Sequence, residues 1–261
     1  METSGMTKQL VRIGPERTIV LDIIRLARTV PSFPVERWFD VAEVALARQR
    51  CQTRISWLAV FLRAYGLASR EHAFLRQCYV RRLCPSIYQS DACVISVAVN
   101  RIVNGREQLF FARIRNPDEK TVAQLQQEID RCQTAPVELV FRQQLTAARL
   151  PSWIRRFSWW WRRNLELKKR ARRMGTGSMS VLAGNGTHNR LHPCMLTSSL
   201  SYGPMEADGR MWVTLQCDHR VLDGMAASRA LLSIEEALQN TVLRELRGIS
   251  IPSQSAQLPA A

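Results

Sequence analysis

No apolar run in this chain reaches the ~18 residues that a membrane-spanning helix needs. Residues 1–9 are polar and lack the apolar core of an export signal. A membrane-spanning protein and a secreted precursor are therefore not expected. The seven cysteines are odd in number and form no Cys-x-x-Cys pair. That argues against a disulfide framework and a structural zinc site, and for reduced thiols in a cytoplasmic protein. Internal repeats and low-complexity stretches are absent. Acids are in short supply: 22 Asp and Glu stand against 37 Lys and Arg, a net charge of +15. Such an excess suits an anionic partner: a phosphate-rich co-substrate, a nucleic acid or an acidic membrane surface.

What is present is the composition of a globular protein, with 46% hydrophobic residues in 261. That length suits one large domain or two small ones. The reading adopted is a polar lead-in over 1–16, a domain over 17–240 with a divergent Trp/Arg-rich insert at 149–174, and a tail over 241–261 that is flexible from Pro252.

The pattern along the chain alternates helices and strands. A helix is expected over 17–27, with Ile19, Ile23 and Ala27 on one face. Pro31 and Pro34 force the chain out of it. A strand over 35–41 and a short helix over 42–49 follow. Residues 56–71 give the clearest amphipathic helix of the N-terminal half, through Trp57, Val60, Phe61, Ala64, Tyr65 and Ala68. Two alternating segments, 92–99 and 109–114, flank Asn104-Gly105 and read as a hairpin. A helix over 121–132 presents Val122, Leu125 and Ile129 inward.

From 155 to 173 there are nine Arg or Lys residues and one acid, Glu166. Trp153, Ile154, Phe157, Trp160, Trp161 and Leu165 fall on one helical face of this region, with most of the arginines elsewhere. Three readings stay open: a basic helix packed on its own domain or on a neighbouring subunit, a helix lying on a membrane surface, or a nucleic-acid contact. No recognised nucleic-acid motif accompanies the third, so nucleic acid is not an expected partner. His188 and His192 lie in a later loop and are expected to be solvated.

Near the C-terminal end, Met211, Val213, Leu215 and Cys217 alternate as a half-buried strand. Residues 225–238 read as a helix. Between them stands Gln216-Cys217-Asp218-His219-Arg220-Val221-Leu222-Asp223-Gly224. The one histidine flanked by two acids thus sits on a strand-to-helix connection, a position from which a rigid scaffold presents reactive groups. Asp223 is a plausible N-cap for the helix.

The string Asp-His-Arg-Val-Leu-Asp-Gly resembles the signature of the dihydrolipoyl acyltransferases, the acyl-transfer subunits of 2-oxo acid dehydrogenase complexes. Its His-x-x-x-Asp-Gly part is shared with the chloramphenicol acetyltransferases. A second stretch, Gly175-Thr176-Gly177-Ser178-Met179-Ser180, resembles the family's Gly-Thr-Phe-Thr-Ile-Ser, with Gly177 in place of the aromatic residue and Met179 in place of Ile. The likeness covers roughly residues 17–240 and is weakest over 143–174.

The resemblance implies an α/β fold, a two-layer α+β sandwich with a mixed sheet covered by helices. It implies acyl transfer from a coenzyme A thioester to a thiol of the dihydrolipoyl type or another small acceptor. His219 would be the general base and Ser180 would stabilise the oxyanion, with Ser178 as the alternative serine. Asp223 would brace the site through a cap or through an ion pair with Arg25, Arg28 or Arg220. Trimers with the site between subunits are implied, and no metal. The lipoyl domain of the full-length enzymes has no counterpart in this sequence, so a lipoyl acceptor would come from elsewhere. A non-catalytic or membrane-associated scaffold on the same fold is the alternative.

Overall fold

A computed structural model describes residues 13–103 and 105–250; the expected lead-in over 1–12, Asn104 and the tail from 251 lie outside the described residues. The chain runs α1 (Pro15–Ala27), β1 (Ser32–Asp40), α2 (Ala42–Gln49), α3 (Trp57–Glu71), β2 (Gln77–Val80), β3 (Ser86–Gln89), β4 (Val94–Val103) and β5 (Arg106–Arg115). It continues with α4 (Val122–Thr134), α5 (Val137–Val140), α6 (Arg142–Arg149), α7 (Ser152–Asn164), α8 (Leu167–Met174) and β6 (Gly177–Met179). Then come β7 (Ser198–Met205), β8 (Arg210–Asp218), α9 (Gly224–Ala237) and α10 (Leu243–Ser250). Among the described residues no helix is long and apolar enough to cross a membrane.

Local chemistry accounts for the element starts. The Ser56 hydroxyl accepts the amide of Ala59 at the head of α3, and Thr121 and Gln124 close a reciprocal capping box on α4. Pro15 opens α1 at a position whose N–H has no helical partner. Strand β1 begins at Ser32, ahead of the expected 35, and so contains Pro34. Proline is tolerated because β1 is an edge strand, where a missing donor leaves no gap in the ladder.

The main sheet has six strands in the order β1-β8-β7-β6-β4-β5. Strand β6 runs parallel to both its neighbours, and the other pairs are antiparallel. This is the mixed, helix-covered α/β sheet expected. A separate two-stranded sheet pairs β2 with β3; the short, polar β3 carries no legible pattern in sequence.

The two faces of the sheet differ. One is apolar: Ile95, Val97, Met179, Leu200 and Leu215 pack under α3, α4 and α9 in a continuous core. The other is crossed by a polar row. Arg113 on β5 stands opposite Ser96, Ser96 opposite Ser178, Ser178 opposite Ser199, and Ser199 opposite Gln216. Directly paired residues share a face, so this row lies on one side of the sheet. Helices α1 and α8 cover that side over β5, with α6 against α1.

Two expectations are corrected here. The segment 149–174 is two helices, α7 and α8, broken at Leu165-Glu166. Its apolar face points outward: Trp153 is 70% exposed, Phe157 60%, and Trp160 and Trp161 about half. Arginines turn inward instead. Arg155 is buried against Asp22 of α1 at 2.7 Å. Arg170 donates to the carbonyls of Tyr79 and Arg163. The helical run also continues past 240: a widened turn over Leu238–Val242 leads into α10, whose Leu243 and Leu246 are buried in the core. Glu245 of that helix pairs with Arg63 of α3 at 2.8 Å.

Candidate active site

Strand β8 buries Met211, Val213, Leu215 and Cys217 and ends at Asp218. Asp218 anchors the turn that follows. Its carboxylate is buried and accepts the Arg220 backbone amide at 3.0 Å and the Arg220 guanidinium at 2.8 and 2.6 Å. Arg220 in turn donates to the Thr29 carbonyl and stacks over the Tyr79 ring at 4.3 Å. The first acid of the motif, rather than the second, thus takes the arginine and braces the loop.

His219 projects from this braced turn. Its amide donates to the Pro31 carbonyl, and its ring lies 4.6 Å from Phe33. Nδ1 is 3.2 Å from the Leu222 carbonyl. A carbonyl can only accept, so this contact assigns a proton to Nδ1, which in the neutral ring leaves the lone pair on Nε2. The side chain is 60% exposed in the single chain. Asp223 occupies the N-cap position of α9 but makes no side-chain cap bond. Its carboxylate is exposed and 3.9 Å from His219 Nδ1.

Ser180 follows β6 and lines a cavity of about 880 Å³ between the polar face of the sheet and helices α1, α6, α7 and α8. The Asn189 side-chain amide donates to Ser180 Oγ at 3.2 Å. Ser180's own proton is then free to point elsewhere. Ser178 lines the same cavity but donates to Ser199 at 2.8 Å. His192, expected in solvent, is half-buried there with Nε2 2.7 Å from Ser199 Oγ. Burial holds its pKa below the ordinary imidazole range. His188 likewise leaves solvent, 3.3 Å from Thr214, and burial lowers its pKa too.

His219 and Ser180 do not meet within one chain. Cys217, Ser198 and Gly177 stand level across β8, β7 and β6. From there Ser180 lies three residues one way and His219 two residues the other, with two strand spacings between them. That separates them by roughly 15–20 Å. Asn189, Ser199 and His192 were not legible as site residues. They come together through sheet register and loop packing, which leave no local signature.

No protein-family model and no curated protein matches the sequence. Solved structures do. A probable dihydrolipoamide acetyltransferase from Listeria monocytogenes superposes with a TM-score of 0.65 at 16% identity, over 92% of this chain and 97% of that one. The fold is that of the dihydrolipoamide acetyltransferase catalytic core. The cubic core of a pyruvate dehydrogenase multienzyme complex gives 0.63 at 18% identity, over 94% and 95% of the two chains. A truncated catalytic core of the 2-oxoacid dehydrogenase complex from Thermoplasma acidophilum gives 0.62 at 17%, over 90% and 99%. The chain spans nearly the whole length of each of these acetyltransferase-core structures.

The glycine at 177 in the Gly-Thr stretch has a physical explanation in this chain. A Cβ on Gly177 would lie 2.5 Å from the Tyr65 hydroxyl. Tyr65, fully buried on α3, fills that space and bonds Ser198 at 2.6 Å.

Proposed function

We propose that this chain is a coenzyme A-dependent acyltransferase whose site forms between two copies, His219 from one and Ser180 from the next. The observation that carries this reading is the 3.2 Å contact of His219 Nδ1 with the Leu222 carbonyl. With Nδ1–H held by the Leu222 carbonyl, Nε2 is the free base, which is the arrangement general-base catalysis needs. His219 Nε2 takes the proton of an acceptor thiol, and the thiolate attacks the thioester carbonyl carbon. The tetrahedral oxyanion receives the Ser180 hydroxyl proton as a hydrogen bond, while Asn189 fixes the Oγ from behind. The carbon–sulfur bond to coenzyme A then breaks, and His219 returns its proton to the departing thiolate. Asp223, 3.9 Å from Nδ1, stabilises the imidazolium while it lasts. The step needs no metal. The separation of His219 and Ser180 within one chain supports a site shared between copies, a trimer or multiple of trimers being the assembly proposed, and seven free thiols support a cytoplasmic location.

His219→Ala should abolish transfer from an acyl-CoA to a small thiol or to dihydrolipoamide, with an unchanged thermal midpoint because the ring is exposed. Ser180→Ala should lower turnover by ~10²-fold or more, as loss of one oxyanion donor does. Product formation followed by mass spectrometry checks both. Full activity in His219→Ala would remove the mechanism and leave the scaffold alternative standing.

A second reading attaches to α7. Its exposed aromatic face, with exposed Arg156 on the same helix and exposed Lys168 and Lys169 on the following α8, has the composition of a helix lying in an anionic bilayer surface. We infer peripheral membrane contact through this face. The protein should co-sediment with phosphatidylglycerol vesicles, and Trp153→Ser with Trp160→Ser should release it. Failure to bind would assign the face to a neighbouring subunit.

A further inference from the structure

The cavity that holds Ser180 carries an electrostatic feature that acyl transfer alone does not require. Five arginines line it (Arg17, Arg113, Arg142, Arg162 and Arg173), with no Asp or Glu among its described lining residues. Arg173 is already paired with Glu166. Arg113 is different. It rises from β5 at the end of the polar row, and its Nε is buried without a hydrogen-bond partner. Burial and the neighbouring Arg162 both disfavour its charge. A guanidinium whose charge is disfavoured and whose Nε–H has no partner is costly, and an anion in the cavity paired with its accessible face would offset part of that cost. The remaining wall is largely apolar, including Ile19, Ile23, Phe111, Met174 and Leu196.

Arg113 and Ser178 lie in one cross-strand row, two spacings apart, and Ser180 stands two residues further along its strand. From the guanidinium's strand to Ser180 is therefore roughly 12 Å. A cavity that is largely apolar on its helix side, with the serine row along the sheet and Arg113 at the end of that row, suits an aliphatic chain closed by an anion.

We propose that the cavity binds a medium-chain amphipathic anion, a carboxylate or phosphate monoester, with its head on Arg113 and Arg162 and its chain running toward Ser180. The ligand's role as a transfer substrate rests on the acyltransferase reading; its binding does not. Of the two head-binding arginines, Arg162 comes from α7 and Arg113 from β5.

The test is titration calorimetry of the full chain with octanoate and, in parallel, with 1-octanol. Octanoate should bind at least about tenfold more tightly, the scale of a hydrogen bond to a charged group. Arg113→Met should remove about tenfold or more of the octanoate affinity and leave octanol unchanged, and Arg113→Lys should recover part of it. If Arg113→Met does not fold, Arg162→Met on α7 gives the same readout without touching the sheet. Equal binding of octanoate and octanol, or octanoate affinity unmoved in the Arg→Met variants, would overturn the proposal. So would coenzyme A binding that depends on Arg113 while octanoate does not bind, which would assign the arginines to its phosphates. His219→Ala should bind octanoate as the wild type does. If that variant keeps its transferase activity while octanoate binding holds, acyl transfer falls and the anion site stands.

Discussion

His192 is held neutral by burial at the back of the cavity, against Ser199. Its folded pKa lies below the ordinary 6.5, so near and below that pH the unfolded chain binds a proton that the folded chain refuses. Stability must then fall as pH drops through the ordinary imidazole range toward the folded value. His192→Gln keeps a polar contact to Ser199 and removes the titration. Thermal midpoints of both proteins from pH 7.5 to 5 should diverge, the wild type losing more on acidification. Parallel curves would show that the ring is not neutral and buried. At this scale the sequence was informative where chemistry is contiguous. His219 stands between two acids on a predicted strand-to-helix turn, and the fold puts it there. Which acid takes the arginine was not readable. Asp218 and Asp223 are alike in one dimension, and only the burial of β8 separates them.

Among the elements, α7 shows what periodicity can and cannot decide. The spacing of its aromatics identifies a single helical face. It does not tell which way that face turns, because the outcome depends on what the opposite face meets. Here Arg155 finds Asp22 of α1, both side chains under 10% exposed. That buried pair pins the helix with its tryptophans outward. Replacing Asp22 alone with Asn leaves the guanidinium uncompensated and should cost about 3 kcal/mol in urea unfolding. Replacing Asp22 with Leu and Arg155 with Met together should be close to neutral, since the desolvation cost disappears with the charges. A large loss in the double variant would mean that the pair does more than orient α7. Strand β1 teaches a related lesson. Pro34 delayed the expected start of the strand, yet an edge position removes the objection to proline.

Across the whole molecule, the sheet's polar face is the feature that no local window contains. Ser96, Ser178 and Ser199 are unremarkable in separate strands, and only the β5-β4-β6-β7 register lines them up beside Arg113. The helices, the hairpin strands and the His219 turn were legible because each is specified by its own neighbours. The cavity was not, because it is assembled from seven elements and two loops. The same topology keeps His219 and Ser180 apart within a chain, which gives a direct test of shared sites. Co-expressed His219→Ala and Ser180→Ala chains should regain about a quarter of wild-type activity if each site draws on two copies assorted at random in a closed ring. Activity no greater than that of the separate variants would place both groups in one chain's own site.

The meeting of Gly177 with the Tyr65 hydroxyl has an evolutionary corollary. A side chain placed on the strand at 177 would collide with the Tyr65 ring on the helix, and deletion of the tyrosine would leave a void that glycine cannot fill. Neither position is free to drift alone, so among descendants of this chain the two should change in concert or not at all.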